Sequence, residues 1–234
     1  MSLDAQARQT LGRFRHAYRG RGKPRAHFLH PGKTGGTAVK SALRPVATTG
    51  TYRLDLHGHQ FVLAQVRAGE KFFFATRDPI ARFVSAFYSR QRRGDATGDH
   101  AWTPVEAAAF QEFHTANDLA ERIARDPRAD SAMRGVLHVR SSYSTWFGSP
   151  EDLVGRQDDL LLILRQEHLD ADFDRLLHKL GLEGRAVLPE EQGAHRGSPG
   201  VDRDLSAQAI ENLRAWYADD YRFLEVCKSL SADL

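Results

Sequence analysis

Short apolar runs alternate with amphipathic stretches along most of the chain. Four runs are predicted to be strands, and the last of them is continuously apolar, as expected for a strand buried on both faces. They are His27–His30, Tyr52–His57, Phe72–Thr76 and Leu160–Leu164. Strands that alternate with helices predict an α/β fold with three α/β/α layers around a central, mainly parallel sheet.

Helical spacing and capping residues predict the helices between these strands. Predicted helices cover Thr37–Leu43, Gln60–Ala68, a segment capped by Asp78 with Pro79 first and ending near Arg92, a segment begun by the Thr103 capping box, Leu169–Leu180 ended by Gly181, and a long final helix capped by Ser206. Residues 117–148 stay unassigned. Gly94–His100 and Gly193–Gly200 are predicted loops.

The chain has the length and composition of a globular protein. Its 234 residues are 41% hydrophobic and 27% charged, which argues against disordered, fibrous and repeat-built chains. No internal boundary is evident, so we expect a single domain over residues 26–234, preceded by a basic helix and linker over residues 1–25.

Charge and cysteine content exclude several further classes. The net charge is 33 − 30 = +3, and much of the surplus lies in the N-terminal segment, which is either a solvated basic helix or a surface attracting a phosphate- or sulfate-rich partner. This small surplus does not indicate a nucleic-acid partner. The single Cys227 excludes a disulfide framework and a cysteine-rich zinc site. The apolar runs are too short to span a membrane and the N-terminus has no secretory signal, so we expect a cytoplasmic protein.

The first strand leads into a glycine loop that favours a phosphate ligand. The loop residues are Lys33, Thr34, Gly35, Gly36 and Thr37. A glycine pair between a strand and a helix lets several backbone N–H groups face one point, and the helix N-terminus and the lysine add positive charge there.

A Walker A loop is the general alternative for this segment, and it would imply a kinase that uses ATP and magnesium. Gly32, Lys33 and Thr34 fit the end of that motif. His27, however, occupies the position of its first glycine, and the run Leu160–Leu164 is followed by arginine and glutamine instead of a magnesium-binding aspartate. A nucleotide triphosphatase is therefore the weaker hypothesis.

An arginine follows the third strand, at the start of an amphipathic helix. At about 100° per residue, Arg82, Ser85 and Ser89 share the polar face of this helix, and Arg77 immediately precedes it. An arginine fork and a serine hydroxyl can hold a phosphate together. Taken alone, an arginine before a helix more often forms a surface ion pair, for which Asp78 is the candidate partner here.

Two histidines, His57 and His59, end the second strand. Histidine can take up a proton near neutral pH. The pair could also contribute two ligands to a metal, but no third ligand is evident from spacing, and we expect no metal site.

Together these motifs resemble those of a known family. Phe28–Thr37 resembles the 5′-phosphosulfate loop of sulfotransferases that use 3′-phosphoadenosine 5′-phosphosulfate (PAPS), and Arg77–Ser85 resembles their 3′-phosphate site. The most similar branch includes heparan sulfate 2-O-sulfotransferases and bacterial relatives. That branch usually has Ile-Pro-Lys-Thr where this chain has Pro31-Gly32-Lys33-Thr34.

The resemblance implies a soluble bacterial enzyme with a fold related to P-loop nucleotide kinases. It implies in-line transfer of a sulfuryl group from PAPS to an acceptor hydroxyl on a carbohydrate or a small molecule, leaving 3′,5′-adenosine bisphosphate (PAP). His59 would be the general base, Lys33 would neutralise the leaving oxygen, and Arg77 and Ser85 would bind the 3′-phosphate. Gln192–Gly200 either closes over the nucleotide or is a plain exposed loop. A module that binds a nucleotide without turnover is the alternative outside enzymes.

Overall fold

The central element of the fold is a sheet of four parallel strands. The computed structural model describes residues 22–92, 101–189 and 204–232. Its strands are β1 (Arg25–Leu29), β2 (Arg53–Leu56), β3 (Lys71–Thr76) and β4 (Leu160–Arg165), in the order β2–β1–β3–β4. All three pairings are parallel, so every strand ends at the same edge of the sheet.

Ten α-helices lie within the described residues. They are α1 (Gly36–Leu43), α2 (Pro79–Gln91), α3 (Pro104–Glu112), α4 (Ala116–Glu121), α5 (Pro127–Gly135), α6 (Ser144–Phe147), α7 (Pro150–Val154), α8 (Leu169–Leu180), α9 (Ala207–Trp216) and α10 (Ala218–Ala232). Three of them, α4 to α6, lie almost entirely in residues 117–148, the segment that the sequence left unassigned.

The sheet is covered by helices on both faces, which confirms the predicted three-layer α/β/α class. Alternate residues of the strands point to opposite faces. Phe28 and Phe73 face α1 and α8 in one buried cluster. Leu29 and Phe74 face α6, α7 and α10 in another, together with Phe223 of α10.

A third buried cluster lies beyond the sheet and joins α2 to α3, α4, α5 and α9. Phe83 and Phe87 of α2 pack there against Phe113, Leu119 and Leu213. These helices (α2, α3, α4, α5 and α9) form a helical lobe. One face of α2 is buried in this lobe, while its N-terminus follows directly from β3. The helix thus holds the end of β3 in a fixed relation to this lobe.

Local capping chemistry sets several of these helix ends as predicted. The side chains of Asp78, Thr103 and Ser206 accept hydrogen bonds from backbone N–H groups in the first turns of α2, α3 and α9. Gly181 ends α8 with φ +63°, a left-handed conformation that glycine adopts without steric cost.

The predicted helix over Gln60–Ala68 is wrong, since the chain forms only a 3₁₀ turn at Leu63–Gln65. Its apolar side chains pack onto the sheet as the periodicity suggested. The residues that flank the turn, Val62 and Val66, are both extended, and Arg156, a distant residue, donates to the carbonyl oxygens of Val66 and Arg67, both at 3.0 Å. Val66 is extended, with ψ 121°, and no helix continues.

The predicted long final helix is also wrong in one respect, because it divides at Tyr217 into α9 and α10. Tyr217 leaves the helical region with φ −100° and ψ 25°. The two halves bury different faces: Leu213 of α9 packs in the helical lobe, whereas Phe223 and Cys227 of α10 pack on the sheet. A straight helix could not serve both surfaces.

Several predictions fall outside the described residues. They are the basic helix and most of the linker in residues 1–25, the loop Gly94–His100, and the loop Gln192–Gly200. Within the described ranges, no helix is long and apolar enough to cross a membrane.

A buried ion pair joins α2 to α3. Arg90 donates from Nε and Nη2 to the two carboxylate oxygens of Glu106, at 2.7 and 2.6 Å. The same carboxylate accepts from the backbone N–H groups of Thr103 and Leu137. Burial alone raises the pKa of Glu106, but these hydrogen bonds outweigh it and lower the pKa to about 2.

We predict that Glu106→Ala lowers the free energy of unfolding by about 3–5 kcal/mol, because it leaves Arg90 buried without its partner. Glu112→Ala, on the same helix, removes half-exposed ion pairs with Arg122 and Arg128 and should cost at most about 1 kcal/mol. Urea denaturation measures both. Since the folded-state pKa of Glu106 is depressed, its contribution is present above pH 4.5 and is lost as the pH falls towards 2. Equal losses in the two variants would contradict this assignment.

Candidate active site

The loops that follow β1 and β3 flank a cleft of about 530 Å³ at the carboxyl edge of the sheet. Such edges are where open α/β sheets bind ligands. The cleft lies between the glycine loop, α2 and the segment that begins α9. Its polar lining includes Lys33, Arg77, Ser85, Ser89, Arg92 and Arg214. Three residues selected from the sequence, Lys33, Arg77 and Ser85, therefore share one cavity.

The glycine loop is tightly packed from within. The Thr34 hydroxyl is fully buried and donates to the Pro31 carbonyl oxygen at 2.9 Å. Gly35 has φ +81°, and a Cβ there would overlap the side chain of Gln166, just as one at Gly36 would overlap the His30 ring. Gly35 is thus favoured by its left-handed backbone, and Gly36 by the close approach of the buried His30 ring.

Thr37 differs from the rest of the loop because it is exposed, in the first turn of α1. The N–H groups of that turn face the same carboxyl edge of the sheet, where a helix N-terminus favours an anion. The structure therefore places Thr34 as a residue that shapes the loop and Thr37 as one that a ligand can reach.

Lys33 has a left-handed backbone with φ +68°, which costs a non-glycine residue roughly 1–2 kcal/mol. Its ammonium group donates to the Ser89 hydroxyl across the cleft at 2.7 Å. Burial, helped by the positive charges of Arg92 and Arg77, lowers the pKa of Lys33 to about 8. The lysine is a desolvated cation held against α2, and it remains mostly protonated at pH 7.

Arg77 connects the end of β3 to the glycine loop. Its guanidinium Nη1 donates to the backbone oxygen of Lys33 at 3.4 Å, and Ser85 lines the same cleft two turns into α2. Asp78 does not form the surface ion pair with Arg77 considered from the sequence. It caps α2 and accepts a hydrogen bond from the Tyr221 hydroxyl at 3.1 Å.

Arg82, placed by the helical projection on the polar face with Ser85, lies instead in the protein interior. Its side chain is 1% exposed and pairs with Asp220 of α10 at 2.6 Å. The guanidinium lies over the rings of Tyr143 and Tyr217, with centroids at 5.1 and 5.8 Å. The projection could not reveal this, because the partners come from distant parts of the chain.

His59 lies beside the glycine loop and outside the lining of the cleft. Its Nδ1 is 2.8 Å from the backbone oxygen of His30, and since a carbonyl only accepts, the proton of the neutral ring is on Nδ1. Nε2 then carries the lone pair. Partial burial lowers the pKa of His59, Lys40 and Lys33 lower it further, and the His30 carbonyl opposes them. The ring is therefore neutral at pH 7, with Nε2 able to take up a proton.

His57, the other member of the pair, has a different environment. Its ring stacks on Phe61 with centroids 3.4 Å apart, and its Nε2 lies 2.9 Å from Nδ1 of His27. Among residues 22–92, 101–189 and 204–232, no group of three or more histidine, cysteine, aspartate or glutamate side chains is arranged to hold a metal ion.

Sequence reasoning gave no site role to three residues around the site: Ser89, Arg92 and His138. The helical projection places Ser89 on the polar face of its helix with Ser85, one turn away, so the signal for it is present in the sequence. His138 could not have been found, since it falls in the unassigned segment. Its ring lies edge-on to His59 with centroids 5.3 Å apart and against Gly32, and burial lowers its pKa to about 3.

The family model described as "Sulfotransferase family" matches residues 53–225 of the chain. The matched range includes His59, Arg77 and Ser85 and begins after the glycine loop. No curated protein and no solved structure matches the chain.

We predict that the ammonium group of Lys33 titrates near a pKa of about 8, and that Arg92→Gln raises this pKa because it removes a nearby positive charge. Competitive acetylation followed across pH by mass spectrometry measures the midpoint, with the exposed Lys228 of α10 as internal reference. Modification of Lys33 and Lys228 with the same pH dependence would contradict the buried setting described for Lys33.

Proposed function

The chain belongs to the sulfotransferase family, and we propose that it transfers the sulfuryl group of PAPS to an acceptor hydroxyl, with His59 as the general base. The observation that carries this proposal is the joint placement of Lys33, Arg77 and Ser85 around one cleft. These are the residues that the sequence motifs assign to the two phosphate-bearing ends of PAPS.

The chemistry of the cleft lining fits a nucleotide that carries negative charge at both of these ends. Four cationic side chains of the described residues line it: Lys33, Arg77, Arg92 and Arg214. Of the two carboxylates there, Asp78 is already engaged as the cap of α2. Guanidinium groups bind phosphate oxygens through paired donors. Arg77 and Ser85 would hold the 3′-phosphate, and Lys33 with the N–H groups of Gly35, Gly36 and Thr37 would hold the 5′ end.

PAPS, when bound, supplies the sulfuryl group, and its sulfur–oxygen bond to the 5′-phosphate breaks as a bond from sulfur to the acceptor oxygen forms. Negative charge then grows on the leaving oxygen. Lys33 offsets that charge from a desolvated position, where a cation stabilises the transition state more strongly than it would in water.

His59 takes the proton of the acceptor hydroxyl at Nε2, the nitrogen left without hydrogen by the bond from Nδ1 to the His30 carbonyl. That bond fixes both the tautomer and the direction of the ring. The acceptor would approach the sulfur from the side where His59 and His138 lie, in line with the sulfur–oxygen bond that breaks. We propose a carbohydrate or another small hydroxyl compound as acceptor.

A kinase that uses magnesium and ATP is less well supported by the end of β4. That strand ends at Arg165, which donates to Asp172 from its backbone and its guanidinium at 2.9 Å. Asp172 is thereby occupied in the interior, and glutamine follows Arg165 along the chain.

We predict that PAP stabilises the protein against heat more than ADP or Mg·ATP does, since only PAP carries the 3′-phosphate. Arg77→Ala should weaken PAP binding by about 1.5–3 kcal/mol, or roughly ten- to a hundred-fold. Scanning calorimetry and titration calorimetry measure these effects. Arg175→Ala removes an exposed arginine of α8 outside this cleft and is the matched control. Stabilisation by Mg·ATP without any by PAP would favour the kinase.

We predict that His59→Ala lowers the rate of sulfated product formation by roughly 10²–10⁴-fold, the usual contribution of a general base. His178→Ala removes a solvent-exposed histidine of α8 and should leave the rate unchanged. Because the base must be neutral, kcat/KM should rise with pH through the pKa of His59. That pKa is lowered from 6.5, so the acidic limb should lie below pH 6.5. An unchanged rate in His59→Ala would show that another group takes the proton.

A further inference from the structure

The Tyr143 hydroxyl bonds both the backbone N–H and the backbone carbonyl of Arg77. The N–H of Arg77 donates to the Tyr143 hydroxyl oxygen at 2.8 Å, and the same hydroxyl donates to the Arg77 carbonyl oxygen at 2.7 Å. Tyr143 is fully buried, so water does not replace either bond easily. β3 ends at Thr76. At the next residue, Arg77, these two bonds replace the hydrogen bonds between strands.

Tyr143 is itself fixed by the ion pair in the interior. Its backbone N–H donates to Oδ1 of Asp220 at 2.8 Å, and Oδ2 of Asp220 pairs with Arg82 at 2.6 Å. The Arg82 guanidinium lies over the Tyr143 ring. A continuous chain of contacts therefore runs from α2 and α10, through Tyr143, to the residue that follows β3.

We propose that Tyr143 is a positioning residue for the Arg77 guanidinium, and so for recognition of the 3′-phosphate, an inference that rests on the proposed function. An arginine side chain has four rotatable bonds, so a small tilt of its backbone displaces the guanidinium by a larger distance. A planar fork binds a phosphate with two donors only if its direction is set beforehand. Tyr143 sets that direction without touching the nucleotide.

Tyr217 provides a matched control for this role. It is also a buried tyrosine, its ring also lies against Arg82, and its hydroxyl donates to the Val139 carbonyl oxygen at 2.8 Å. Its hydroxyl bonds no residue of the cleft. Tyr217→Phe and Tyr143→Phe therefore remove the same group from comparable surroundings, and only the second releases Arg77.

The test measures the affinities of four proteins for two ligands. The proteins are the wild type, Tyr143→Phe, Arg77→Ala and the double variant. The ligands are PAP and 5′-AMP, which lacks the 3′-phosphate. Tyr143→Phe should weaken PAP binding on the order of ten-fold and leave 5′-AMP binding nearly unchanged. In the Arg77→Ala background it should add no further loss, because the group it positions is gone. Tyr217→Phe should bind PAP as the wild type does.

A ligand-free measurement keeps this inference separate from the proposed function. Hydrogen exchange of the Arg77 amide should accelerate in Tyr143→Phe and not in Tyr217→Phe. If the wild type fails to bind PAP, the proposed function is wrong. The exchange of this amide still decides whether the Tyr143 hydroxyl holds the backbone of Arg77. Each of four results would overturn the inference. Two concern Tyr143→Phe alone: an unchanged affinity for PAP, or equal losses of affinity for PAP and 5′-AMP. The others are additive losses in the double variant and unchanged hydrogen exchange of the Arg77 amide in Tyr143→Phe.

Discussion

Parallel pairing of β1 with both of its neighbours is the constraint on which the site depends. The register places Phe28 beside Leu56 of β2 and Leu29 beside Phe74 of β3, so the three strands end within a few residues of one another at one edge. The glycine loop, the histidine pair and Arg77 follow those ends directly. A one-residue slip of β1 would exchange its two faces, move Phe28 out of the cluster that it forms with α1 and α8, and shift the glycine loop relative to Arg77 by about 3.3 Å.

The helix α2 joins this edge to the rest of the molecule through three kinds of residue. Phe83 and Phe87 anchor it in the helical lobe, Ser85 and Ser89 face the cleft, and Arg82 ends in the interior ion pair. A buried ion pair is weak evidence for stability, because desolvation opposes the attraction between the charges. Its better-supported role here is geometric, since Arg82 and Asp220 fix α2, α10 and Tyr143 relative to one another.

Local patterns were enough to predict the strands, most helix ends and the α/β class. Asp78 and Thr103 cap their helices through contacts with residues three positions away, and such contacts are visible in any sequence. The errors arose where distant residues decide the outcome. Arg156 binds the carbonyl groups at the extended end of Gln60–Ala68, and the buried position of Arg82 follows from Asp220, 138 positions further along the chain.

The same limit applies to the site. Motifs identified the loop, Arg77 and Ser85, because each lies beside a strand end in the sequence. The contact of His138 with His59 depends on how the segment between α5 and α6 folds back over Gly32, and no local pattern reports that. Sequence reasoning thus recovers residues that lie along the strand ends and misses those that reach the edge from elsewhere.

Lys33 of the glycine loop and the neighbouring His59 need opposite protonation states in the proposed reaction. The proposed chemistry needs Lys33 charged and His59 neutral, and burial together with nearby cations lowers both pKa values. Both conditions hold between the lowered pKa of His59 and the value of about 8 for Lys33, an interval that contains neutral pH. An anionic nucleotide beside Lys33 favours its charged form and raises the upper bound. Burial and nearby cations lower the pKa of Lys33 in the absence of a ligand, and a bound phosphate therefore offsets that lowering.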